Sequence, residues 1–426
     1  MELLPAHDPY AAFRYRAFRL FSISYVLAVI GSQMLATTIQ WDLYERTNDE
    51  LSIALVGLVN AVPLIVLALP AGHVADSFSR KRVLITTQVF LAAAPLALAI
   101  LNLWYREGVS HWLTLSILGA NSVALTFARP ARSSIIPRLL PRTAYPNAFA
   151  WMSSLFETAA WIGPAVAGGL IVFGVGASYF IAGLCLVGCM ALTLFLPDDV
   201  PSRVERHEPA WQSLSAGIRF VFGSPLILAA MTLDLLAVLL GGSVYLLPVF
   251  ARLLEVGPIG YGWLRSMPAI GAFLMAVVQA HRRPSPHAGR ALLWAVAVFG
   301  LATMVFGWSQ NFWLSLAMLF IIGASDNVSV IIRQTLIQTL TPDAMRGRVS
   351  AVNQVFIGAS NELGGVESGI TAKYFGPVAS VVGGGIGTLL VVLGVALKWP
   401  QIRRLGSLRE LTATPDTLPS DDETKP

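Results

Sequence analysis

The stretch GHVADSFSRKR at residues 72–82, followed by VLITTQVFLAAAPLALAILNLW at residues 83–104, decides how this chain folds. The second segment runs for 22 residues without a charge, and about 20 apolar residues are enough for a helix to cross the hydrocarbon core of a bilayer. The first segment places Arg80, Lys81 and Arg82 just outside that run, where basic residues hold a short loop on the cytoplasmic side. The local pattern is therefore a membrane helix with a basic loop at one end.

Outward from this stretch the pattern recurs. Of the 426 residues, 55% are hydrophobic and 12% charged, with a mean hydropathy of +0.66, whereas a soluble domain carries about 25% charged residues. Apolar runs predict twelve helices. Six lie near residues 20–41, 51–72, 83–104, 112–131, 148–172 and 177–196, and six near 226–249, 260–281, 290–308, 312–332, 349–372 and 377–399. Several contain Gly or Pro, which membrane helices tolerate when neighbours satisfy the freed backbone groups. The polar stretch at 197–225 separates a half at 1–196 from one at 226–400, and the tail at 401–426 has no apolar period and is expected to be largely disordered. With the amino terminus inside, the cytoplasmic segments collect Arg14, Arg16, Arg19, Arg80, Lys81, Arg82, Arg129, Arg132, Arg138, Arg142, Arg282, Arg283, Arg290, Arg346, Arg348, Arg403 and Arg404. The opposite side keeps Arg46, Arg106, Arg252, Arg265 and Lys373. Both termini are thus expected in the cytoplasm.

The halves also repeat. A shift of 201 positions pairs Arg132 with Arg333, Pro141 with Pro342, Gly163 with Gly364 and Gly168 with Gly369; a shift of 205 pairs Gly57 with Gly262 and Pro63 with Pro268. Six helices separate the copies, so they share an orientation, as in transporters whose halves are related by an axis along the membrane normal.

Other classes fit poorly. The two cysteines, Cys185 and Cys189, lie one turn apart in an apolar run, which excludes a disulfide framework or a four-ligand zinc site. The net charge of +5 is spread between apolar runs, so no nucleic-acid partner is expected. The amino end leads directly into a full-length span, without the pattern of a cleaved signal. No phosphate loop or metal-protease motif occurs, so neither ATP-driven transport nor enzymatic chemistry is expected, and no metal or cofactor is implied.

The loop at 72–84 resembles the signature of the major facilitator superfamily, with Gly72, Ala75, Asp76, Arg80, Lys81 and Leu84 in place and Ser77 and Ser79 departing from it. The resemblance implies a conformational latch: a glycine permits a tight turn, and an acid beside basic residues can hold or release helix ends. On the fifth helix, Gly163, Pro164, Gly168 and Gly169 resemble the antiporter motif of drug exporters in that superfamily, although closely packed helices use the same small residues. The stretch from Phe18 to Gly31, the segment 51–63, the run from Ala128 to Leu139, Gly242 to Ala251 and Arg346 to Val349 are similar to the enterobactin-exporter-like branch, over about 380 residues. Ser32 stands where many members carry an acid. The resemblance implies proton-driven efflux of a siderophore or drug from the bacterial cytoplasm.

Intramembrane acids are costly and face the bundle interior or a wet cavity. Glu157, Asp234, Asp326, Glu362 and Glu367 qualify. Loss and regain of a proton at one of them would give a coupling switch, because burial penalises the charged carboxylate. The alternative is a structural ion pair, with Arg333 and Arg265 as partners. Asp234 and Glu362 are preferred for coupling, since their helices commonly line the cavity in this superfamily; Glu157 and Asp326 follow. Trp151, Trp161, Asn353, Gln354, Asn361 and Arg333 are candidates to line a substrate cavity, and packing is the alternative for the aromatics.

The sequence therefore predicts an all-α membrane protein of twelve helices in two pseudo-repeats, with the major facilitator fold. It is read as a monomeric inner-membrane secondary transporter whose partners are a small amphipathic substrate, protons and membrane lipid. An uptake symporter, a lipid flippase and a transport-inactive sensor or scaffold are the alternatives.

Overall fold

The computed structural model describes residues 8–104, 109–197, 210–282 and 286–406, and every long element within them is an α-helix. In chain order these are α1 (Arg16–Thr47), α2 (Leu51–Val66), α3 (Ala68–Ser77), α4 (Arg80–Trp104), α5 (His111–Leu139), α6 (Tyr145–Ile171) and α7 (Val175–Leu194). After the linker helix α8 (Ala210–Gly223) come α9 (Pro225–Leu240), α10 (Leu247–Leu253), α11 (Gly257–His281), α12 (Ala288–Trp308), α13 (Phe312–Leu340), α14 (Asp343–Phe375), α15 (Pro377–Lys398) and the short α16 (Pro400–Arg404). Residues 198–209 of the expected linker and 407–426 of the expected tail lie outside the described residues, as do Arg106 and Arg283.

Two of the twelve expected helices are broken, and each break has a proline just beyond it. The second divides at Leu67 into α2 and α3, with a bend of 54°. Pro70 cannot donate to the carbonyl four residues earlier and its ring collides with it. The seventh divides at Gly241 and Gly242, continues through a 3-10 turn, Ser243–Leu246, and resumes as α10 with Pro248 in its first turn. By length and apolarity nine spans, or ten with the bent pair, can cross a membrane among the described residues. The other two expected spans are α5 and α14, of 29 and 33 residues. His111 and Asn121 lower the apolar part of the first, before Arg129 begins its basic end; Glu362, Glu367, Arg346, Arg348 and Lys373 dilute the second.

The helices pack in two groups. In the first, α1 lies on α6 and α7, α4 on α5 and α7, and α2 on α5. In the second, α11 lies on α13, α12 on α13 and α15, and α9 on α14 and α15. Two extensive crossings join the groups, α6 with α11 and α2 with α14. At the first, a Cβ added to Gly168 would stand 2.6 Å from the Pro258 carbonyl oxygen and 2.7 Å from Gly262 Cα. At the second, a Cβ on Gly57 would stand 2.7 Å from the Glu362 carbonyl oxygen, and one on Gly369 would meet Ala54 N at 2.6 Å. These glycines let backbones touch. The sequence repeat pairs Gly168 with Gly369 and Gly57 with Gly262, so it maps one crossing onto the other, as a two-fold relation between the groups requires.

Twelve crossings bring both described chain ends to one side of the bundle, here called the terminal end. At the opposite, far end the groups share an apolar cluster in which Tyr44 and Ile53 pack with Leu247, Phe250, Tyr261 and Phe306.

Candidate functional site

A cavity of about 330 Å³ lies between the groups, walled by Gln33 of α1 and Ala160 and Pro164 of α6 on one side. Tyr245, Arg265, Asp326 and Asn361 face it from the other, with Phe299 and Ile322. Tyr245 comes to the wall from the 3-10 turn between α9 and α10.

Above the cavity the far end is closed by contacts between the groups. Arg265 Nη1 donates to Gln40 Oε1 at 2.7 Å, Tyr261 Oη to the Thr37 carbonyl at 3.1 Å, and Ser266 Oγ to the Trp161 carbonyl at 2.8 Å. Nearer the surface, Trp41 packs on Tyr261 with ring centroids 5.2 Å apart. Asn48, left-handed at φ 47° where α1 ends, accepts from Arg252, and Lys373 bridges to Asp49 at 2.9 Å. That hydrogen bond holds the Asp49 carboxyl below its ordinary value of 3.8.

Glu362 ties the groups together at the cavity. Tyr245 Oη of its own group donates to Glu362 Oε2 at 2.6 Å. From the other group Asn60 and the Arg129 guanidinium lie near the same carboxylate, with Arg265 near it on its own side. Asn60 is oriented in turn by Ser122, whose hydroxyl donates to its Oδ1. Glu157 of α6 lies within electrostatic range of Asp326 of α13, which lines the cavity. Toward the terminal end, Arg129, Gln354 and Asn361 are exposed. Arg129 stands ten residues, about 15 Å, inside the end of α5. The sequence places it at the cytoplasmic end of a span closing near residue 131, but α5 continues to Leu139. Exposed polar groups at that depth mark a wet vestibule.

The remaining expected residues divide. Asp234 does not reach the cavity as a free acid: Arg333 of α13 forms a buried ion pair with it inside the second group. Arg333, expected at a cavity wall, is 1% exposed. Trp151 stands away from the cavity, where its Nε1 donates to the Pro9 carbonyl at 2.8 Å and its ring stacks on Tyr10. Asn353 is buried, and Glu367 is half-buried beside Ser368 and Thr371 of its own helix. Gly163 packs on Gln33 and Ile30 of α1, while a Cβ on Gly169 would meet nothing within 4 Å. The expected 72–84 loop is helical except at Phe78 and Ser79: Gly72 lies inside α3, makes no turn and is open, Arg80 is buried at the start of α4, and Lys81 Nζ donates to the Leu196 carbonyl at 2.7 Å, just beyond the end of α7. The Asp76 side chain lies outside the described residues. Sequence reasoning passed over Gln33, Gln40, Asn60 and Tyr245; the signal available was an amide or phenol set within an apolar run.

Comparison with known proteins agrees with this architecture. The family model described as transmembrane secretion effector matches residues 7–415. The enterobactin exporter EntS of Escherichia coli O1:K1 / APEC is 24% identical over 408 residues, covering 95% of this chain and 96% of that one; the protein of the same name in Shigella boydii serotype 18 matches to the same extent. Among solved structures, the nucleoside transporter NupG superposes with a TM-score of 0.66 at 15% identity, covering 92% of this chain and all of that one. A bacterial homolog of the human lysosomal transporter Spinster, solved in an inward-facing and occupied conformation, gives a TM-score of 0.70 at 13% identity over 94% and 98% of the two chains. This chain is an integral membrane transporter and belongs to the transmembrane secretion effector family of the major facilitator superfamily.

Proposed function

We propose that the chain is a proton-coupled exporter of a small amphipathic molecule such as a siderophore or drug. In this reading it is a monomeric antiporter of the bacterial inner membrane with both termini in the cytoplasm, and it uses the proton gradient, without a cofactor or a catalytic step. The observation that carries the reading is the position of Glu362, held by Tyr245 within one group and placed near Asn60 and Arg129 of the other. Alternating access requires these groups to move against each other. A charged Glu362 favours the arrangement in which Arg129 faces it; protonation removes that attraction and lowers the cost of separation. Asp234 is assigned a structural role, since its charge is already balanced by Arg333. Glu157 and Asp326 supply a second pair of carboxylates whose mutual repulsion a proton relieves. The 72–81 segment, where α3 meets α4, serves as a latch at the terminal end, with Lys81 anchoring it beside the end of α7. The outward direction is supported by the relatives named as enterobactin exporters. The cavity's mixed wall, with Arg265, Tyr245 and Asn361 beside Phe299 and Ile322, suits an amphipathic molecule.

The test is the accumulation of a panel of dyes and siderophores by cells expressing the wild type or Glu362→Gln, with and without an uncoupler. The wild type should lower accumulation of at least one compound, and both the uncoupler and the substitution should abolish the effect. Higher accumulation in the wild type would instead favour uptake, and no difference for any compound would overturn the export reading.

A further inference from the structure

A second cavity, of about 520 Å³, opens on the outer surface of the second group at the terminal end. It is built where α16 folds back from α15 onto the start of α12. Ala288 N donates to the Gly406 carbonyl at 3.2 Å and Gly289 N to the Leu405 carbonyl at 3.4 Å. Gly289 has no Cβ to keep the Ile402 carbonyl away, so the two backbones meet directly. This anchorage gathers Arg290 from the first turn of α12 with Arg403 and Arg404 of α16 around one mouth. The walls leading from it are apolar: Leu293 and Trp294 of α12 face Val392 of α15. Trp294 is 69% exposed. Along the same two helices, Leu301 and Leu393 are also exposed, as on a surface that faces lipid. No carboxylate pairs with the three guanidiniums among the described residues.

Three cations above an apolar trench ask for a ligand with a negative head and a hydrocarbon body. A soluble anion would satisfy the arginines and leave the trench wet; a neutral hydrocarbon would fill the trench and leave the charges unanswered. We propose that this groove binds an anionic phospholipid, its phosphate held by Arg290, Arg403 and Arg404 and one acyl chain lying along Trp294 and Val392. Basic pockets between membrane helices suit anionic headgroups, and a tryptophan at headgroup depth suits the boundary. The bound lipid pins α16 against α12 and α15. This inference is independent of the transported substrate and of the direction of transport.

The experiment is native mass spectrometry of the purified full chain released from detergent micelles, titrated with phosphatidylglycerol, phosphatidylcholine or inorganic phosphate. The wild type should retain phosphatidylglycerol at a saturable site and phosphatidylcholine far less. Each basic residue near an anionic surface accounts for about fivefold in affinity, so R290Q/R403Q/R404Q should weaken phosphatidylglycerol binding by roughly a hundredfold. Val392→Trp, which fills the trench and keeps every charge, should also weaken it, and it carries the test if the triple variant does not fold. Equal retention of the two lipids would overturn the proposal, as would unchanged binding in the triple variant or, where that does not fold, in Val392→Trp. Displacement of the lipid by inorganic phosphate at equal concentration would overturn it too, by showing a site for a soluble anion.

Discussion

The crossing of α6 and α11 gives the most direct mechanical prediction. In Gly168→Ala the new methyl group stands 2.6 Å from the Pro258 carbonyl oxygen, 2.7 Å from Gly262 Cα and 3.0 Å from Gly262 N, against the 3.4 Å at which ordinary contact begins. All three atoms are backbone, so no rotamer change relieves the clash, and the helices must part by several tenths of an ångström. Overpacking of this kind costs about 1–3 kcal/mol. The cost falls on the arrangement closed at the far end and is absent where the crossing has separated, so the closed-to-open ratio should fall by roughly 5- to 150-fold. Spin labels at Glu50→Cys and Tyr374→Cys, in a Cys185→Ala and Cys189→Ser background, report the far-end distance by pulsed electron resonance. The substitution should enlarge the long-distance population. Alanine also raises helix propensity by about 1 kcal/mol, and Gly169→Ala controls for that, because its methyl group would meet nothing within 4 Å. An unchanged distribution in Gly168→Ala, or the same change in both variants, would refute the reasoning.

Three further outcomes follow from individual contacts. Removing one partner of the Asp234–Arg333 pair, as in Asp234→Asn, leaves a buried charge and should cost about 3–5 kcal/mol; thermal unfolding in detergent should show a large loss that Asp234→Asn combined with Arg333→Gln partly restores. The Asp49–Lys373 bridge exists only with the far end closed. Because the carboxyl is held below 3.8 by Lys373, its contribution is complete above that pH and disappears as pH falls through the lowered value. The spin-label distances should therefore be independent of this bridge's titration near neutrality and lengthen in acid, a response that Lys373→Met should remove. Ser122→Ala should loosen Asn60 and with it the hold on Glu362; a net loss of about 0.5–1.5 kcal/mol, read as a lower unfolding midpoint, would agree, and an unchanged midpoint would count against the relay.

Much of the architecture is legible in the sequence because bilayer thickness fixes the length of an apolar run. The repeat of Gly57 with Gly262 and Gly168 with Gly369 even foreshadows which helices meet. The breaks at Leu67 and at Gly241 were signalled by Pro70 and Pro248, but membrane helices often absorb a proline without breaking. The site was less legible, because hydropathy reveals that a residue is in the membrane and leaves open which way its helix is turned. Asn361 lines the cavity and Glu362 bonds to its wall residue Tyr245, whereas Trp151 turns to the amino-terminal segment and is claimed there by Pro9. The sequence favours Asp234 for coupling over the ion pair with Arg333 that it also allows, because only the tertiary fold shows that α13 brings Arg333 alongside it. Arg129 looks like the end of a span because a basic group usually ends one, yet α5 continues ten residues beyond it to Leu139.

The central claim is that a proton on Glu362 drives transport. Once a substrate is found, proteoliposomes with an inward-directed proton gradient should show substrate-dependent proton movement through the wild type and none through Glu362→Gln, with binding of the substrate retained in both. Equal proton movement in the two proteins would contradict the account.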